Sequence, residues 1–326
     1  GSSQRLIIPR LEAASGRKAG EDLFYCYNPA FIALGEVVKG FERPDYVLIG
    51  EHDRHAGDEV LEIHRSMTPV DTPVARMQPV EAEICKLASN THETMRVSFA
   101  NMLFSACTEV PGANVDRITE ALAHRMGKRF FKGAVPYGGP CWPRDNEALA
   151  AFMGVMGVPN GMPRAVDVFN REHARYVHRK VLALTRPGDV VGLLGLAYKP
   201  GTNVIERSFA VDLAAWLTQE RRSVLGWDPL AMENVRRELG ESIGYASSAE
   251  ECLRRSRVAV VLNPLQELNL VDWRAAREVT VVDCWRCLPA AAREQVGQYL
   301  PLGQGAPAML EEWNARHGGP LDLLST

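Results

Sequence analysis

The chain has 326 residues, of which 46% are hydrophobic and 24% charged, and its formal net charge is −3. This length suits roughly two domains, and the charge balance, without any Lys/Arg cluster interleaved with aromatic residues, gives no indication of nucleic acid as a partner. We find no run of about 18 apolar residues, so no membrane span is expected. The seven cysteines are odd in number and widely scattered, which favours a cytoplasmic protein over a disulfide-bonded one.

The first part of the chain, residues 1–79, has an α/β pattern. The segment QRLIIPRLEAAS is helix-like and ends near Gly16. LFYCYNP is a short apolar run stopped by Asn28-Pro29, and DYVLIGE is a second β-rich run. The opening Gly1-Ser2-Ser3 has no initiator Met, so it is either a tag remnant or the start of a chain inside a longer protein.

Residues 80–184 are predicted to be mostly helical. Apolar residues recur at helical spacing through 81–110, which contains neither Gly nor Pro. NVDRITEALAHR is a second helix, with Asn114 as its N-cap. A third helix follows Cys141, and a fourth covers about 164–184.

Residues 185–326 alternate again between strands and helices. The segments DVVGLLGLAY, RSVLGWDP, RVAVVLNP and EVTVVDCW are apolar strands, and SFAVDLAAWLTQE and LAMENVRREL are helices between them. This pattern predicts a parallel sheet, which binds ligands at the carboxyl ends of its strands. LGLAYKPGTN lies at one such end and carries Lys199, but no GxGxxG occurs in the chain.

Cys284 and Cys287 in DCWRC have CxxC spacing. No second Cys pair and no His pair accompanies them, so we predict neither zinc binding nor redox function there, and no metal site elsewhere.

One segment, YGGPCWPRDN, places Cys141 after a Gly-Gly-Pro turn and Asp145 four residues later. A cysteine at such a turn is either buried for packing or a nucleophile at a helix entrance. Free cysteine is among the most buried residue types, which favours the first interpretation. The second rests on the helix dipole and unpaired N–H groups, which favour the thiolate. The residues alone leave both interpretations open.

Four segments together resemble the UDP-glucose/GDP-mannose dehydrogenase family. They are YNPAFIALG, AEICKLASN, RMGKRFFKGAVPYGGPCWPRDN and LGLAYKPGTNVIERS, in this order. The resemblance implies an enzyme that uses NAD twice to oxidise a nucleotide-sugar alcohol to a carboxylate. It also implies three parts, all α/β or helical. Residues 1–79 would be the end of a Rossmann-like NAD-binding domain, 80–184 a helical dimerisation domain, and 185–326 a Rossmann-like sugar-nucleotide-binding domain with a parallel sheet.

The resemblance assigns four catalytic residues. Cys141 is the nucleophile that forms a thiohemiacetal and then a thioester, since thiolate and not thiol attacks carbon. Lys86 and Asn90 lie four residues apart on one helix face and hold the oxyanion and the catalytic water. Asp145 cooperates with that water and with the lysine. Without the resemblance, all except Cys141 would be taken as ordinary helix residues.

The resemblance also assigns ten substrate-binding residues. A loop holds the sugar nucleotide through its backbone, and the other residues line the sugar pocket or come from the C-terminal domain. They are Phe31, Ile32, Ala33, Leu34, Arg125, Lys132, Tyr137, Gly138, Lys199 and, less certain as a match, Arg286. Arg125 is expected to reach the substrate of a neighbouring subunit, which implies a homodimer. Gly138 and Cys141 are the residues expected to contact NAD.

Three departures from the family pattern stand out. The glycine-rich dinucleotide turn and its ribose-binding acid have no counterpart, so we expect most of the NAD site to be missing. Ala30 stands where the family has a Glu that serves as a base in thioester hydrolysis, and a methyl group accepts no proton. Pro136 replaces a glycine, and proline fixes φ.

Three functions therefore remain open on the sequence. The first is a dehydrogenase, and the second is a non-catalytic sugar-nucleotide-binding or dimerisation remnant. The third is a cysteine hydrolase, which would need a His such as His92 or His124 beside Cys141. The motifs are common to enzymes of UDP-glucose, GDP-mannose and UDP-N-acetylhexosamines, so they do not distinguish the sugar.

Overall fold

The structure, a computed structural model, describes residues 1–311 and Ala315. The chain forms two compact units, Gly1–Thr91 and His92–Thr326. Their boundary falls inside one long helix. The division into three parts at residues 80 and 185 stays a prediction.

The first unit contains a small mixed sheet. Its elements are a π-helical turn at Ser3–Ile7, α1 (Ile8–Ser15), β1 (Cys26–Tyr27), α2 (Val37–Glu42), β2 (Val47–Glu51), α3 (Arg54–Arg65), β3 (Val74–Met77) and the start of α4 (Pro79–Glu109). The strands lie in the order β1-β2-β3, with β1 antiparallel and β3 parallel to β2. Leu48 and Ile49 of β2 are fully buried. The predicted end of the first helix at Gly16 is confirmed, since its φ of 72° lies in the left-handed region that glycine adopts readily.

The second unit begins with helices, as predicted for the central region. Helix α4 continues into it, followed by α5 (Val115–Met126), α6 (Trp142–Val155) and α7 (Gly161–Ala183). Asn114 is confirmed as the N-cap of α5, because its side-chain oxygen accepts a hydrogen bond of 2.9 Å from the N–H of Asp116.

The rest of the second unit is a six-stranded, entirely parallel sheet. Its strands are β4 (Val190–Leu194), β5 (Ser223–Trp227), β6 (Gly244–Tyr245), β7 (Val258–Val261), β8 (Thr280–Asp283) and β9 (Gln298–Pro301). Helices α8 (Phe209–Gln219), α9 (Met232–Leu239), α10 (Ala249–Arg254) and α11 (Ala290–Arg293) connect them, with 3₁₀ turns at Gly240–Ser242, Gln266–Asn269, Trp273–Ala276 and Pro307–Met309. The order β6-β5-β4-β7-β8-β9 is the doubly wound order of a Rossmann domain, which confirms the predicted fold class.

Two hydrophobic clusters cover the two faces of this sheet. One contains Leu193 and Val260 of the sheet together with Phe104 of α4 and Val177 of α7. The other contains residues that alternate with these along the strands, such as Leu194, packed against α10 and the turn at Trp273–Ala276. Because α4 and α7 share the first cluster with the sheet, the central helices and the C-terminal sheet have a common core.

In the described part of the chain, no helix is both long and apolar enough to cross a membrane.

Candidate active site

Cys141 lies at the entrance of helix α6. It is the residue directly before the helix, its side chain is exposed, and a proline follows in the first turn. A helix N-terminus carries partial positive charge and unpaired N–H groups. Because the side chain is exposed, Cys141 is not a cysteine buried for packing, which was one of the two interpretations that the sequence left open. The position is that of a thiol which a substrate can approach.

Asp145 lies one helical turn further along α6 and is only 3% exposed. Its N–H donates to the carbonyl of Cys141 over 2.9 Å. Its carboxylate accepts a hydrogen bond of 2.8 Å from Nε of Arg144, and this bond raises the pKa of Arg144. The Arg144 guanidinium also interacts with the thiol of Cys141. A carboxylate, a guanidinium and a thiol therefore lie within one turn of α6.

The segment 133–139, which leads to the cysteine, forms neither helix nor strand, yet its backbone is hydrogen-bonded by side chains. Asn101 of α4 accepts from the N–H of Ala134 (2.8 Å) and donates to the carbonyl of Val135 (3.3 Å). His173 of α7 lies with Nε2 2.7 Å from the carbonyl of Ala134, so this nitrogen carries a proton and donates it. Burial lowers the pKa of His173 to about 4, so the ring is neutral at pH 7.

Tyr137 is fixed through both its backbone and its hydroxyl group. Asn170 of α7 accepts from the Tyr137 N–H (3.0 Å) and donates to the Tyr137 carbonyl (2.9 Å). The hydroxyl donates to Asp167 (2.5 Å) and accepts from the fully buried Asn146 (3.2 Å). Asn146 also donates to Asp167 (2.9 Å) and accepts from Thr94 (3.2 Å). The Tyr137 side chain is thus an internal anchor of the turn, and its predicted contact with substrate stays a prediction.

The two glycines of the turn lie against the loop that follows β4. A Cβ atom at Gly138 would be 2.1 Å from the carbonyl oxygen of Arg207. Gly139 has a φ of +84°, its N–H donates to the carbonyl of Glu206 (3.0 Å), and a Cβ there would be 2.6 Å from the ring of Tyr198. Only glycine permits this approach of two backbones. The structure therefore places the cysteine turn beside the loop LGLAYKPGTN.

That loop lies at the switch point of the sheet, between β4 and β7, where Rossmann domains bind their ligands. Asn263, after β7, donates to the carbonyl of Ala197 (2.7 Å). Asp228, after β5, is placed where dinucleotide-binding domains use an acid to bind ribose. Here its carboxylate instead fixes two loops, and Lys199 is half-buried in one of them. The Asp228 oxygens accept from the N–H groups of Leu196, Ala197, Leu230 and Ala231 over 2.7 to 3.1 Å.

Lys86, in the first unit, lies beside an aromatic ring. Its ammonium lies 4.3 Å from the centroid of the Phe31 ring, a cation–π contact, and Phe31 in turn packs at 4.8 Å against Tyr46. Asn90 lies one helical turn after Lys86 on α4 and is 6% exposed. In the predicted substrate loop, Ile32 and Ala33 are exposed and Leu34 is half-buried, as is Phe31. The predicted roles of these residues stay predictions.

Arg125 and Lys132 are both exposed. Arg125 lies in the last turn of α5, and Lys132 lies between the buried residues Phe131 and Gly133. An exposed cation in each position is available to an anionic ligand, and their predicted substrate contacts are not tested by this geometry.

Arg286, by contrast, is inside the fold, with its side chain 2% exposed. Its Nε and Nη2 form a bidentate pair with Asp116 at 2.7 and 3.0 Å. Its remaining donors bond the carbonyls of Cys284, Leu302 and Gly133 over 2.6 to 2.8 Å. All five guanidinium hydrogens therefore have protein acceptors. In this structure Arg286 joins the end of β8 to α5 and to the start of the cysteine segment, and its substrate contact stays a prediction.

The CxxC pair does not present a reactive thiol. Cys284 is fully buried, and burial together with Asp283 raises the pKa of half-buried Cys287 to about 12. Both thiols are thus protonated at neutral pH. Within residues 1–311 and 315, no group of three or more His, Cys, Asp or Glu side chains is placed to hold a metal ion.

Sequence reasoning missed the residues that hold the cysteine segment, chiefly Asp167, Asn170 and His173. A signal was present: in VDVFNREHARY these three polar residues follow at intervals of three, which places them on one face of a helix. Without a known partner for that face, they looked like ordinary polar residues on a helix.

Comparison with protein families gives two matches in this chain. Residues 80–172 match the model of the UDP-glucose/GDP-mannose dehydrogenase family, central domain. Residues 192–290 match the model of the same family's UDP binding domain. The first match covers the cysteine turn and the second covers the switch-point loop.

Similar curated proteins are UDP-glucose 6-dehydrogenases. AglM of Haloferax volcanii is 32% identical over 285 residues, which are 85% of this chain and 66% of that protein. TuaD of Bacillus subtilis is 27% identical over 289 residues, 86% of this chain and 62% of that protein. The chain therefore spans somewhat less than two thirds of the length of these relatives.

Solved structures similar to this chain are also nucleotide-sugar dehydrogenases. A UDP-glucose dehydrogenase from the hyperthermophilic archaeon Pyrobaculum islandicum superposes with a TM-score of 0.79 at 27% identity, covering 90% of this chain and 67% of the other. A UDP-D-ManNAc dehydrogenase from Pyrococcus horikoshii has a TM-score of 0.76 at 18% identity, covering 93% and 70%, and supports the fold alone. From the two family matches and these relatives, the chain belongs to the UDP-glucose/GDP-mannose dehydrogenase family.

Proposed function

We propose that the chain supplies the sugar-nucleotide-binding and cysteine parts of an NAD-dependent dehydrogenase that oxidises the C6 alcohol of a nucleotide sugar to the carboxylate. The observation that carries this proposal is the exposed Cys141 at the entrance of α6, with buried Asp145 one turn beyond it, in a chain whose relatives are UDP-glucose 6-dehydrogenases. The switch-point loop beside the cysteine turn supports binding of the nucleotide there.

The described residues do not fit the pyrophosphate of NAD. In the first unit, the junction between β2 and α3 has no glycine-rich turn. The N-terminus of α3 is capped by Asp53, whose carboxylate accepts a hydrogen bond of 2.8 Å from the N–H of Ala56. A second anion at this helix end would meet a negative charge where it needs free N–H groups. The contacts with NAD proposed for this chain are therefore limited to the reacting end, at Gly138 and Cys141.

Two steps fall to residues of this chain. In the first, the Cys141 thiolate bonds to the aldehyde carbon and the carbonyl electrons move to oxygen. A nicotinamide held at Gly138 and Cys141 would supply the hydride acceptor for the oxidation that leaves a thioester on Cys141. In the second step, a water oxygen bonds to the acyl carbon while Asp145 takes its proton, the C–S bond breaks, and the thiol is regenerated.

The test uses UDP-glucose first, because the curated relatives are named UDP-glucose 6-dehydrogenases. With a dinucleotide-binding domain supplied as a fusion or as a separate chain, we expect the protein to form NADH and UDP-sugar acid from NAD and UDP-glucose, and Cys141→Ser to form no acid. Cys26→Ser is the control, since Cys26 is half-buried in the first unit and has no proposed role. Acid formation by Cys141→Ser at the unaltered rate would refute the proposed role of the thiol.

We further propose that a second copy of the chain covers the central helices. Several large apolar side chains of these helices are exposed, namely Phe99, Met102, Ile118, Met162 and Val168. Arg125, on the same group of helices, is the residue expected to reach the neighbour's substrate. A dimer in sedimentation velocity at micromolar concentration is the expected result, and a monomer would refute it. Seven free thiols favour the cytoplasm as its location.

The second candidate function is binding of a nucleotide sugar without catalysis. Ala30, an exposed residue in the position where the resemblance expects a Glu base, and the capped N-terminus of α3 favour it. Calorimetry and turnover together distinguish the two: heat of binding with UDP-glucose, but no NADH even when a dinucleotide-binding domain is supplied with NAD, supports the binding protein.

A further inference from the structure

We propose that three polar residues of helix α7, Asp167, Asn170 and His173, are positioning residues that set the place of Cys141 by holding the backbone before it. We call these three residues the α7 stripe. The proposal rests on the proposed role of Cys141 as nucleophile, and it concerns residues that touch neither the thiol nor a substrate.

The α7 stripe forms hydrogen bonds with two residues of the cysteine segment, Ala134 and Tyr137. His173 donates to the carbonyl of Ala134, Asn170 bonds both the N–H and the carbonyl of Tyr137, and Asp167 accepts from the Tyr137 hydroxyl. The stripe residues follow at intervals of three along the helix, and their partners run in the opposite direction along the chain. One face of α7 therefore holds the segment at two backbone positions and also holds the Tyr137 side chain.

Asn170 is the central contact because it replaces a strand. Two hydrogen bonds to one residue's N–H and carbonyl are what a neighbouring strand would provide, and the described segment 133–139 has no such strand. On the other side, the turn is closed by the bond from Gly139 N–H to the carbonyl of Glu206. Tyr137 and Gly139, four and two residues before Cys141, are thus held by different elements, α7 and the loop after β4.

A second asparagine beside α7 makes a similar hydrogen bond far from the cysteine segment. Asn160, at the start of the same helix, also donates its amide to a backbone carbonyl, that of Ala150, over 3.0 Å. That bond joins α7 to the end of α6 that lies away from the cysteine. A purely structural asparagine and a positioning asparagine are therefore present on one helix, and Asn160 serves as a matched control for Asn170.

The experiment compares Asn170→Leu, Asn170→Asp and Asn160→Leu with the unaltered protein. Leucine has the same number and branching of side-chain heavy atoms as asparagine but forms no hydrogen bond, while aspartate still accepts from the Tyr137 N–H and no longer donates to its carbonyl. Hydrogen exchange of the Tyr137 amide, resolved by fragmentation mass spectrometry, measures how firmly the turn is held. Steady-state oxidation of UDP-glucose measures kcat and KM separately.

We expect the Tyr137 amide in Asn170→Leu to exchange about tenfold faster or more, the change that loss of a buried hydrogen bond produces. Asn170→Asp should restore part of the protection, and Asn160→Leu should leave it unchanged. Amides of the central strand β7 should keep their rate in every variant, since only general destabilisation would alter them. Equal Tyr137 exchange in Asn170→Leu and the unaltered protein would overturn the positioning role.

For catalysis we expect kcat of Asn170→Leu to fall about 10- to 100-fold, as misplacement of a reacting group does, with a smaller change in KM because the switch point binds the nucleotide. A fall in kcat of the same size in Asn160→Leu would show that any weakening of α7 has this effect and would overturn the proposal. If the unaltered protein oxidises no nucleotide sugar, the proposed function fails, whereas the exchange result still decides whether Asn170 holds the turn.

Discussion

Replacing His173 by glutamine should change how the stability of the protein depends on pH. His173 is 2% exposed, and its ring centroid lies 5.3 Å from that of Phe104. Its Nδ1, which carries no proton in the neutral ring, accepts from the hydroxyl of Ser105 over 3.1 Å. Burial lowers its pKa to about 4, although the bond to the Ala134 carbonyl acts in the opposite direction. In the unfolded chain a histidine has a pKa of about 6.5.

The sign and size of the effect follow from these two values. Between pH 4 and 6.5 the unfolded chain binds a proton at His173 and the folded chain does not, so the free energy of unfolding rises with pH across this window. The contribution is fully present above about pH 6.5 and is lost as the pH falls towards 4. With 1.36 kcal/mol for each pKa unit, it amounts to about 3 kcal/mol.

Urea denaturation at several pH values between 4 and 8 measures this dependence. His173→Gln keeps an N–H donor for Ala134 but cannot titrate, so its free energy of unfolding should rise less across the window than that of the unaltered protein. His124→Gln is the control, because His124 is exposed on α5. Carboxylates that also titrate are common to all three proteins, so the difference isolates His173. Parallel curves for His173→Gln and the unaltered protein would refute the reasoning.

Three further results are expected. Gly138→Ala should lower the free energy of unfolding by about 1 to 3 kcal/mol in urea denaturation, because its Cβ would lie 2.1 Å from the Arg207 carbonyl; no loss would show that the loop moves aside at little cost. Asp116→Asn should cost about 3 kcal/mol, because it leaves the guanidinium of Arg286 buried without its counter-charge; a change within 0.5 kcal/mol, the size of an ordinary surface substitution, would show that the other acceptors suffice. Ala30→Glu should raise the rate of acid formation and shorten the life of an acyl adduct seen by intact-mass spectrometry; fast turnover and no adduct in the unaltered protein would show that another base does this work.

Most of the fold followed from patterns that local chemistry sets. The long helix α4 was visible because neither Gly nor Pro interrupts it, and the parallel sheet because its strands β4, β5, β7 and β8 are continuous apolar runs separated by helices. Strands β3, β6 and β9 were missed, since VARM, GY and QYLP lack the run of β-branched residues that marks β7 (VAVV) and β8 (TVVD). Helix α3 was missed because its apolar residues are few, and its N-cap Asp53 was not read as a start signal.

The candidate site was less visible in the sequence, for a physical reason. Cys141 and Asp145 could be found because they follow a glycine turn at a helix start, a local signal. Asn170 could not, because its role exists only through a contact with Tyr137, 33 residues away. Arg286 shows the opposite case: a charged residue at a strand end suggests a ligand, whereas its donors bond the protein's own backbone and Asp116.

The side-chain bonds of the cysteine segment determine when in folding Cys141 acquires its place. Asn101 and Asn170 reach the segment across 33 residues of chain, His173 across 39, and Arg286 across 153. Contacts so distant along the chain form slowly, because loop closure precedes them. No local hairpin or helix can prearrange residues 133–139 on its own. Cys141 is therefore put in place only once α4, α7 and the end of β8 have come together, so a nascent or partly unfolded chain carries this thiol without the surroundings that the fold gives it.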